Sequence, residues 1–277
     1  MSRNGLTSTP LTTVSSKRKT GVSDSQPTTA RNCLHNFTAG IIQLFGDYYL
    51  RRPTPEDLQR LLYIGQQRGF PGMIGSIDCM HWEWKNCPAA WKGMYSRGIG
   101  KPTIVLEAVA SQDFWIWHAF FGAPGTMNDL NILDRSPVFD EIINGNAPEV
   151  NFHVNGREYD LAYYLADDVE RAFGVLQARF AVVRNPSSLW DKNKIGNIMR
   201  ACIILHNMIV EDERDSYGNT SVFEQGEDQD TTFVVRRPTN LGATMGRRAD
   251  VRDTPDHHQL KADLVENIWD QFGHLPM

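Results

Sequence analysis

The sequence predicts a mixed α/β fold with helical ends. Three observations predict it. Three short β-rich runs stand close together between residues 73 and 121, each bounded by Gly or Pro. A fourth short run at Tyr163-Tyr164-Leu165 leads directly into an amphipathic helical stretch. Longer stretches with helical apolar spacing flank this centre on both sides.

Residues 1–32 contain thirteen Ser/Thr and almost no large apolar residue, so they cannot bury enough surface to offset their ordering entropy. A disordered leader is expected there. Being Ser-rich and nearly free of acids, it also has the composition of an organelle transit peptide, without a clear Arg-rich amphipathic helix. Its Lys17-Arg18-Lys19 cluster is a short nuclear-signal candidate. Residues 33–52 space Leu34, Phe37, Ile41, Leu44, Phe45, Tyr48 and Tyr49 as a helix. Thr54-Pro55-Glu56-Asp57 then gives a cap, a first-turn proline and two acids for the positive end of a second helix, carrying Leu58, Leu61 and Leu62. Gly69-Phe70-Pro71-Gly72 ends it.

The strand candidates are Met73–Trp84, Pro102–Ala110 and Phe114–Phe121, rich in β-branched and aromatic residues. Trp115 and Trp117 share one face of the third and are expected to pack a sheet face. Asn128 or Asp129 then caps a helix broken at Pro137. After the fourth strand, residues 168–180 form a helix and residues 194–213 another, apolar on most sides from Ile198 to Val210 and therefore buried. Residues 214–255 are expected as an acidic and polar loop, and residues 256–274 as a C-terminal helix striped by Leu260, Leu264, Ile268, Trp269 and Phe272. A three-stranded meander followed by a parallel strand–helix addition is compatible with a ribonuclease-H-like α/β fold.

Composition excludes several classes. Gly is 22 of 277 residues without a three-residue period, so the chain is not collagen-like. No run approaches the ~18 uncharged residues of a membrane-spanning helix. Four irregularly spaced cysteines do not make a disulfide scaffold and suit a reducing compartment. The net charge of −5 hides a basic start and an acidic stretch: residues 211–230 hold eight acids and only Arg214. There is no Walker loop, dinucleotide fingerprint or nucleophile elbow. Cys79, His81 and Cys87 lack the paired spacing of a zinc site.

Four acids stand where chemistry is usually displayed. Asp78 interrupts an apolar strand, where a carboxylate is costly unless paired or bound to a cation. Asp129 follows a Gly/Pro loop, where a helix cap is its ordinary role. Asp167 follows the fourth strand, the usual place for ligands at a sheet's carboxyl edge. Glu170 sits on the next helix beside Arg171, where a solvated Glu–Arg face is its ordinary explanation. Together they offer hard oxygen ligands for two divalent ions of the kind that cleave phosphodiesters.

Five strings carry a resemblance. They are Gly75-Ser76-Ile77-Asp78-Cys79-Met80-His81-Trp82, Lys101-Pro102-Thr103-Ile104-Val105-Leu106-Glu107-Ala108-Val109-Ala110, Trp115-Ile116-Trp117-His118-Ala119-Phe120-Phe121-Gly122, Asp168-Val169-Glu170-Arg171-Ala172-Phe173-Gly174-Val175-Leu176-Gln177, and Ala201-Cys202-Ile203-Ile204-Leu205-His206-Asn207-Met208-Ile209-Val210-Glu211-Asp212-Glu213. The chain resembles the plant branch of the PIF/Harbinger transposase family over roughly residues 40–215 and again in the C-terminal helix. That resemblance implies a ribonuclease-H-like DDE nuclease domain over 73–213, Mg²⁺ or Mn²⁺, and DNA strand cleavage and transfer in the nucleus. It implies DNA as partner, with a separate DNA-binding protein beside it and no membrane. By motif, Asp78 and Glu170 match the first and last catalytic acids, and either Asp167 or Asp129 the second, the fold logic favouring Asp167 and leaving Asp129 as a further acid beside the metals.

Two departures matter. The family carries a few tens of residues between the strand-end Asp and the helix Glu, whereas here Asp167 and Glu170 are three apart. At about 1.5 Å per helical residue, three residues reach only about 4.5 Å. The helical DNA-binding region that normally precedes the nuclease domain is represented only by its end, in the helical segment 33–72. The expectation is therefore a nuclease-derived protein with impaired catalysis. The alternative is a non-catalytic nuclear scaffold for DNA or protein, presenting Arg171, Arg179, Arg184, Lys192, Lys194 and Arg200 to phosphates.

Overall fold

In the computed structural model, which describes residues 27–97, 100–140, 149–166, 169–185, 189–216, 233–236 and 255–274, a four-stranded mixed sheet lies at the centre. The helix expected over 33–52 begins earlier and is α1, Pro27–Tyr49. Helix α2, Pro55–Gln67, starts as its sequence dictates. Thr54 accepts from the Asp57 N–H at 3.2 Å, and Asp57 in return accepts from the Thr54 N–H at 2.9 Å.

The sheet strands are β1 (Met73–Glu83), β2 (Thr103–Ala110), β3 (Ile116–Pro124) and β6 (Tyr163–Ala166), in spatial order β3-β2-β1-β6. The first three form an antiparallel meander, and β6 joins parallel to β1. The expected short strand and helix order is thus observed. A four-residue helix, α3 (Lys92–Tyr95), lies between β1 and β2, and α4 (Asp129–Leu133) follows β3. Asn128, not Asp129, caps α4, accepting from the Asn131 N–H at 2.8 Å.

A second sheet went unforeseen. It comprises β4 (Glu149–Val154), β5 (Arg157–Tyr159) and β7 (Phe233–Arg236), in order β5-β4-β7, all antiparallel. Strand β7 lies inside the stretch expected as a polar loop. The β4–β5 hairpin turns at Asn155-Gly156, with φ of 50° and 77°, the left-handed pair that such a tight turn needs. Val150, Phe152 and Val154 alternate inward and are buried with Leu62 and Leu264. Phe152 lies over Gly72, where a Cβ would stand 2.3 Å from its ring at φ 84°. A side chain at 72 would separate this sheet from the start of β1.

Helices α5 (Glu170–Arg179), α6 (Ala181–Arg184) and α7 (Lys192–Ser216) follow β6. One face of the main sheet, carrying Trp82, Ile104, Leu106, Ala108 and Ile116, packs on Val169, Phe173 and Leu176 of the α5 segment and Ile195, Met199 and Ile203 of α7. The opposite face carries Val105 and Ala123 against Ile132 of α4. Trp115 and Trp117 are buried, as expected for sheet-packing residues, with Leu61 and Val210. The C-terminal helix α8 (Pro255–Phe272) buries Leu264, while Trp269 stays 70% exposed.

The start of edge strand β3 is capped by a side chain. The fully buried Asn207 of α7 accepts from the Ile116 N–H at 2.9 Å through Oδ1. Its Nδ2 donates to Ile116 O and to Tyr49 O, both at 2.8 Å. Beside it, Arg179 donates to His206 Nδ1 at 3.3 Å, which fixes the proton on Nε2, where it reaches Phe114 O at 2.7 Å. Asp113 joins the β2–β3 turn to two helices by accepting from Arg60 of α2 at 2.9 Å and from Ser111, and by an ion pair with Arg214 of α7. Burial pushes its pKa up, but Arg214, Ser111 and Arg60 outweigh that and hold it below the ordinary carboxylate value.

Asn207→Ala removes three hydrogen bonds and orphans buried backbone groups of β3, so a loss of roughly 3 kcal/mol or more is expected. Thermal unfolding of this variant should fall by roughly 6–12 °C. An unchanged melting temperature would show that Asn207 does not cap the strand.

Candidate functional site

Asp78 stands near the centre of β1, paired in register with Ala108 of β2. The described parallel pairing with β6 ends at Ile77↔Ala166, one residue before it. Strand alternation puts Asp78 on the same face as Met80 and Trp82, the face covered by α5 and α7. It is half-buried, and its Oδ1 accepts from the Cys79 N–H at 2.7 Å. Glu170 opens α5 over that same face and is exposed. Helix α5 is anchored there by Ala172, Phe173 and Leu176, and by Gln177 Nε2 donating to Met80 Sδ at 2.8 Å. Asp167 lies outside the described residues.

Asp129 belongs to the other face. Its carboxylate lies against the thiol of Cys79, which alternation turns away from Asp78. Burial first, then the charges of Asp129, Glu107 and Asp78, push the Cys79 thiol up to about 12, so it stays protonated at neutral pH. The structure therefore groups Asp78 with the Glu170 helix and Asp129 with Cys79. Among the described residues, no three His, Cys, Asp or Glu side chains are grouped so as to hold a metal ion.

Glu107 is the residue that sequence reasoning passed over. It pairs across the strands with Cys79 and is fully buried. His118 Nε2 lies 3.7 Å from its Oε1 and 3.0 Å from Ser136 Oγ. Neither carboxylate oxygen makes a hydrogen bond of good geometry among the described residues. Burial pushes Glu107 up to about 7, with the Ser136 hydroxyl pulling the other way. Burial also holds His118 down to about 4, helped by Arg52 and opposed by Asp140. The pair is thus a protonatable acid against a neutral imidazole, not a fixed ion pair. The signal was present: one carboxylate in the apolar run Ile104-Val105-Leu106-Glu107-Ala108-Val109.

The basic residues divide. Arg179 is committed to Glu213, with both carboxylate contacts at 2.6 Å. Lys192 donates to Tyr95 OH at 3.4 Å. Arg171, Arg184, Lys194 and Arg200 are exposed. Trp82 and Trp84 are core residues, while Trp91 and Trp190 are exposed.

The family model for plant transposon proteins matches residues 47–169 and 166–217, more than half of the chain. The chain belongs to the plant transposon protein family. Neither a curated protein nor a solved structure matches it. The two matched spans of this plant transposon protein meet at residues 166–169, between β6 and α5. The matched region contains the main sheet, α2, α5 and α7, whereas β7 and α8 lie outside it. Among the described residues, no helix is long and apolar enough to cross a membrane.

A pH titration tests the buried acid. Folded Glu107 keeps its proton to higher pH than the unfolded chain, so its contribution to stability falls as pH rises from its ordinary value of 4.5 through about 7. Folded His118 loses its proton earlier than the unfolded chain, so its contribution rises between about 4 and the ordinary 6.5. The two oppose each other in mildly acidic solution, and Glu107 dominates above it. Glu107→Gln should raise stability at pH 8 by up to about 3 kcal/mol and abolish the fall near pH 7, measured by denaturant unfolding. A variant with an undiminished fall would locate the titration elsewhere.

Proposed function

We propose that this transposase-derived protein descends from a metal-dependent DNA nuclease of the ribonuclease-H-like DDE type, and that strand cleavage is impaired in this form. The main sheet supports the ancestry. An antiparallel meander with the next strand parallel to its first, in order β3-β2-β1-β6, suits that architecture. Asp78 on the central strand and Glu170 on the helix after β6 face one side of it.

Mg²⁺ or Mn²⁺ would supply activation of a water and neutralisation of the leaving oxygen. Asp78 and Glu170 offer the hard oxygen donors such an ion takes. Asp167 remains the proposed second acid by its place after β6. Asp129, turned toward Cys79, does not share their face. This partial fit derives no cleavage step.

The observation that carries impairment is the meeting of the two family-matched spans at residues 166–169. An intact relative needs a spacer there so that the helix can turn back across the sheet. Here Glu170 opens α5 four residues after the end of β6. The alternative, a nuclear scaffold for DNA or for a DNA-binding protein partner, is favoured by the exposed cations Arg171, Arg184, Lys194 and Arg200.

Incubating the full chain with labelled DNA and Mn²⁺ should give no cleavage above background. Cutting that Asp78→Ala abolishes would overturn impairment. Salt-dependent retention of DNA without cutting would support the scaffold. Sequencing the transcript across Asp167–Asp168 provides an independent check, because an in-frame segment there would restore the nuclease reading.

A further inference from the structure

We propose that a pocket between the end of α2, the β2–β3 turn and α5 binds a phosphate group of a polynucleotide backbone, with Arg171 and Ser76 as its principal donors. The inference rests on the nuclease-derived reading and deepens it. Ser76 lies two residues before Asp78 on the same strand face, roughly 6.6 Å along β1.

Donors dominate the polar lining. Arg68, Ser76, Ser111, Gln112, Phe114 and Arg171 surround the pocket, and no carboxylate lines it among the described residues. Its enclosed space is about that of one water, so it can seat a single phosphate oxygen and not a base. Ser76 is only 5% exposed, and its hydroxyl makes no hydrogen bond among the described residues although it borders the pocket. Its oxygen reaches solvent through the pocket, so a phosphate oxygen can take the place of water as its hydrogen-bond acceptor.

Arg171 is held for the purpose. Its guanidinium lies over the Phe114 ring, 5.4 Å from the centroid, and makes no ion pair among the described residues. Stacking one face leaves the N–H edge for a phosphate, the planar fork geometry in which Arg surpasses Lys. Phe114 adopts φ 68°, an outlier for a bulky residue, at the turn position where Gly is usual. His206 holds the carbonyl of this residue. Strain kept in a turn that presents a ring to a cation points toward a site. Asp113, next in the turn, does not neutralise the pocket, because Arg60, Arg214 and Ser111 engage it. Arg68 caps the end of α2 and completes the wall while holding another contact, so the argument rests on Arg171 and Ser76.

The test uses the full chain and a fluorescein-labelled DNA duplex, with anisotropy recorded between about 50 and 200 mM salt. Arg171→Gln should weaken binding roughly ten-fold and lower the salt slope by about 0.9. Ser76→Ala should weaken it about three-fold. Arg171→Lys should restore the slope more than the affinity, and Lys261→Gln on α8 should change neither. Circular dichroism verifies that each variant is folded. Inorganic phosphate is titrated in parallel, followed by the amide resonances of Ser76 and Gln112. Wild-type affinity and slope in both Arg171→Gln and Ser76→Ala overturn the pocket. So does duplex that fails to bind the wild-type chain, and a response to inorganic phosphate alone reassigns the site to the free ion. A chain that cuts DNA but ignores Arg171→Gln refutes the pocket and leaves the nuclease ancestry standing. Arg171-dependent binding without cutting retains both.

Discussion

The amide of Asn207 pairs the backbone at the start of the exposed β3 edge. A strand edge carries unpaired N–H and C=O groups that must find partners. On β3, Ile116 finds both in one side chain, and the same amide reaches the last carbonyl of α1. An amide is the side chain that suits this task, having an acceptor on one atom and two donors on the other. A carboxylate would meet Ile116 O and Tyr49 O with acceptors only. Around this point, His206 fixes the β2–β3 turn and Asp113 gathers α2 and α7 onto it. The apolar contacts of α7 fill the sheet face, but these polar contacts set how far along the sheet it lies.

That arrangement explains why the acids divide as they do. With α7 and α5 fixed on one face, β1 can show Asp78 only toward them, and every odd position from Ile77 to His81 must turn to the other side. Cys79 and Glu107 therefore meet as a cross-strand pair beneath α4, in a low-dielectric setting that keeps the thiol protonated and moves the titration of Glu107 up to about 7. Asp129 reaches this pair because Asn128, one residue earlier, takes the cap and starts the helix turning. A shift of the cap by one residue would rotate Asp129 by about 100° around α4.

Most of the main sheet was legible in the sequence. Pattern and punctuation placed β1, β2 and β3, which are apolar and have Gly or Pro at one end, and the run Tyr163-Tyr164-Leu165 placed β6 without such punctuation. The capping box of α2 was equally legible, since Thr54 and Asp57 act within one turn. The second sheet was only half hidden. Glu149-Val150-Asn151-Phe152-His153-Val154 alternates strictly and is followed by Asn155-Gly156, a strong local hairpin signal. Strand β7 was not legible, because Phe233-Val234-Val235-Arg236 is brief and its partner lies some eighty residues earlier. At the site, sequence reasoning found the residues but not their facing. Whether Asp129 stands with Asp78 or with Cys79 depends on helix phase and strand alternation together, which no single motif encodes. Glu107 showed its cost in the sequence, but its neighbours His118 and Ser136 come from other elements.

Fold and chemistry make different demands on the stretch after β6. For the fold, β6 need only pair with β1 over four residues and α5 need only bury Val169, Ala172, Phe173 and Leu176. Both are local demands, met by a short connection. Two-metal chemistry asks for more: carboxylates from separate elements must converge within coordination distance, and the path between them must allow it. A short connection fixes Glu170 at the first turn of α5, where the exposed end of the helix meets solvent. Moving it inward would require α5 to slide, and Phe173 and Leu176 would leave the core. At about 25 cal/mol per Å² of apolar surface, that exposure would cost several kcal/mol. The packing that preserves the domain is thus the force that holds Glu170 at the rim.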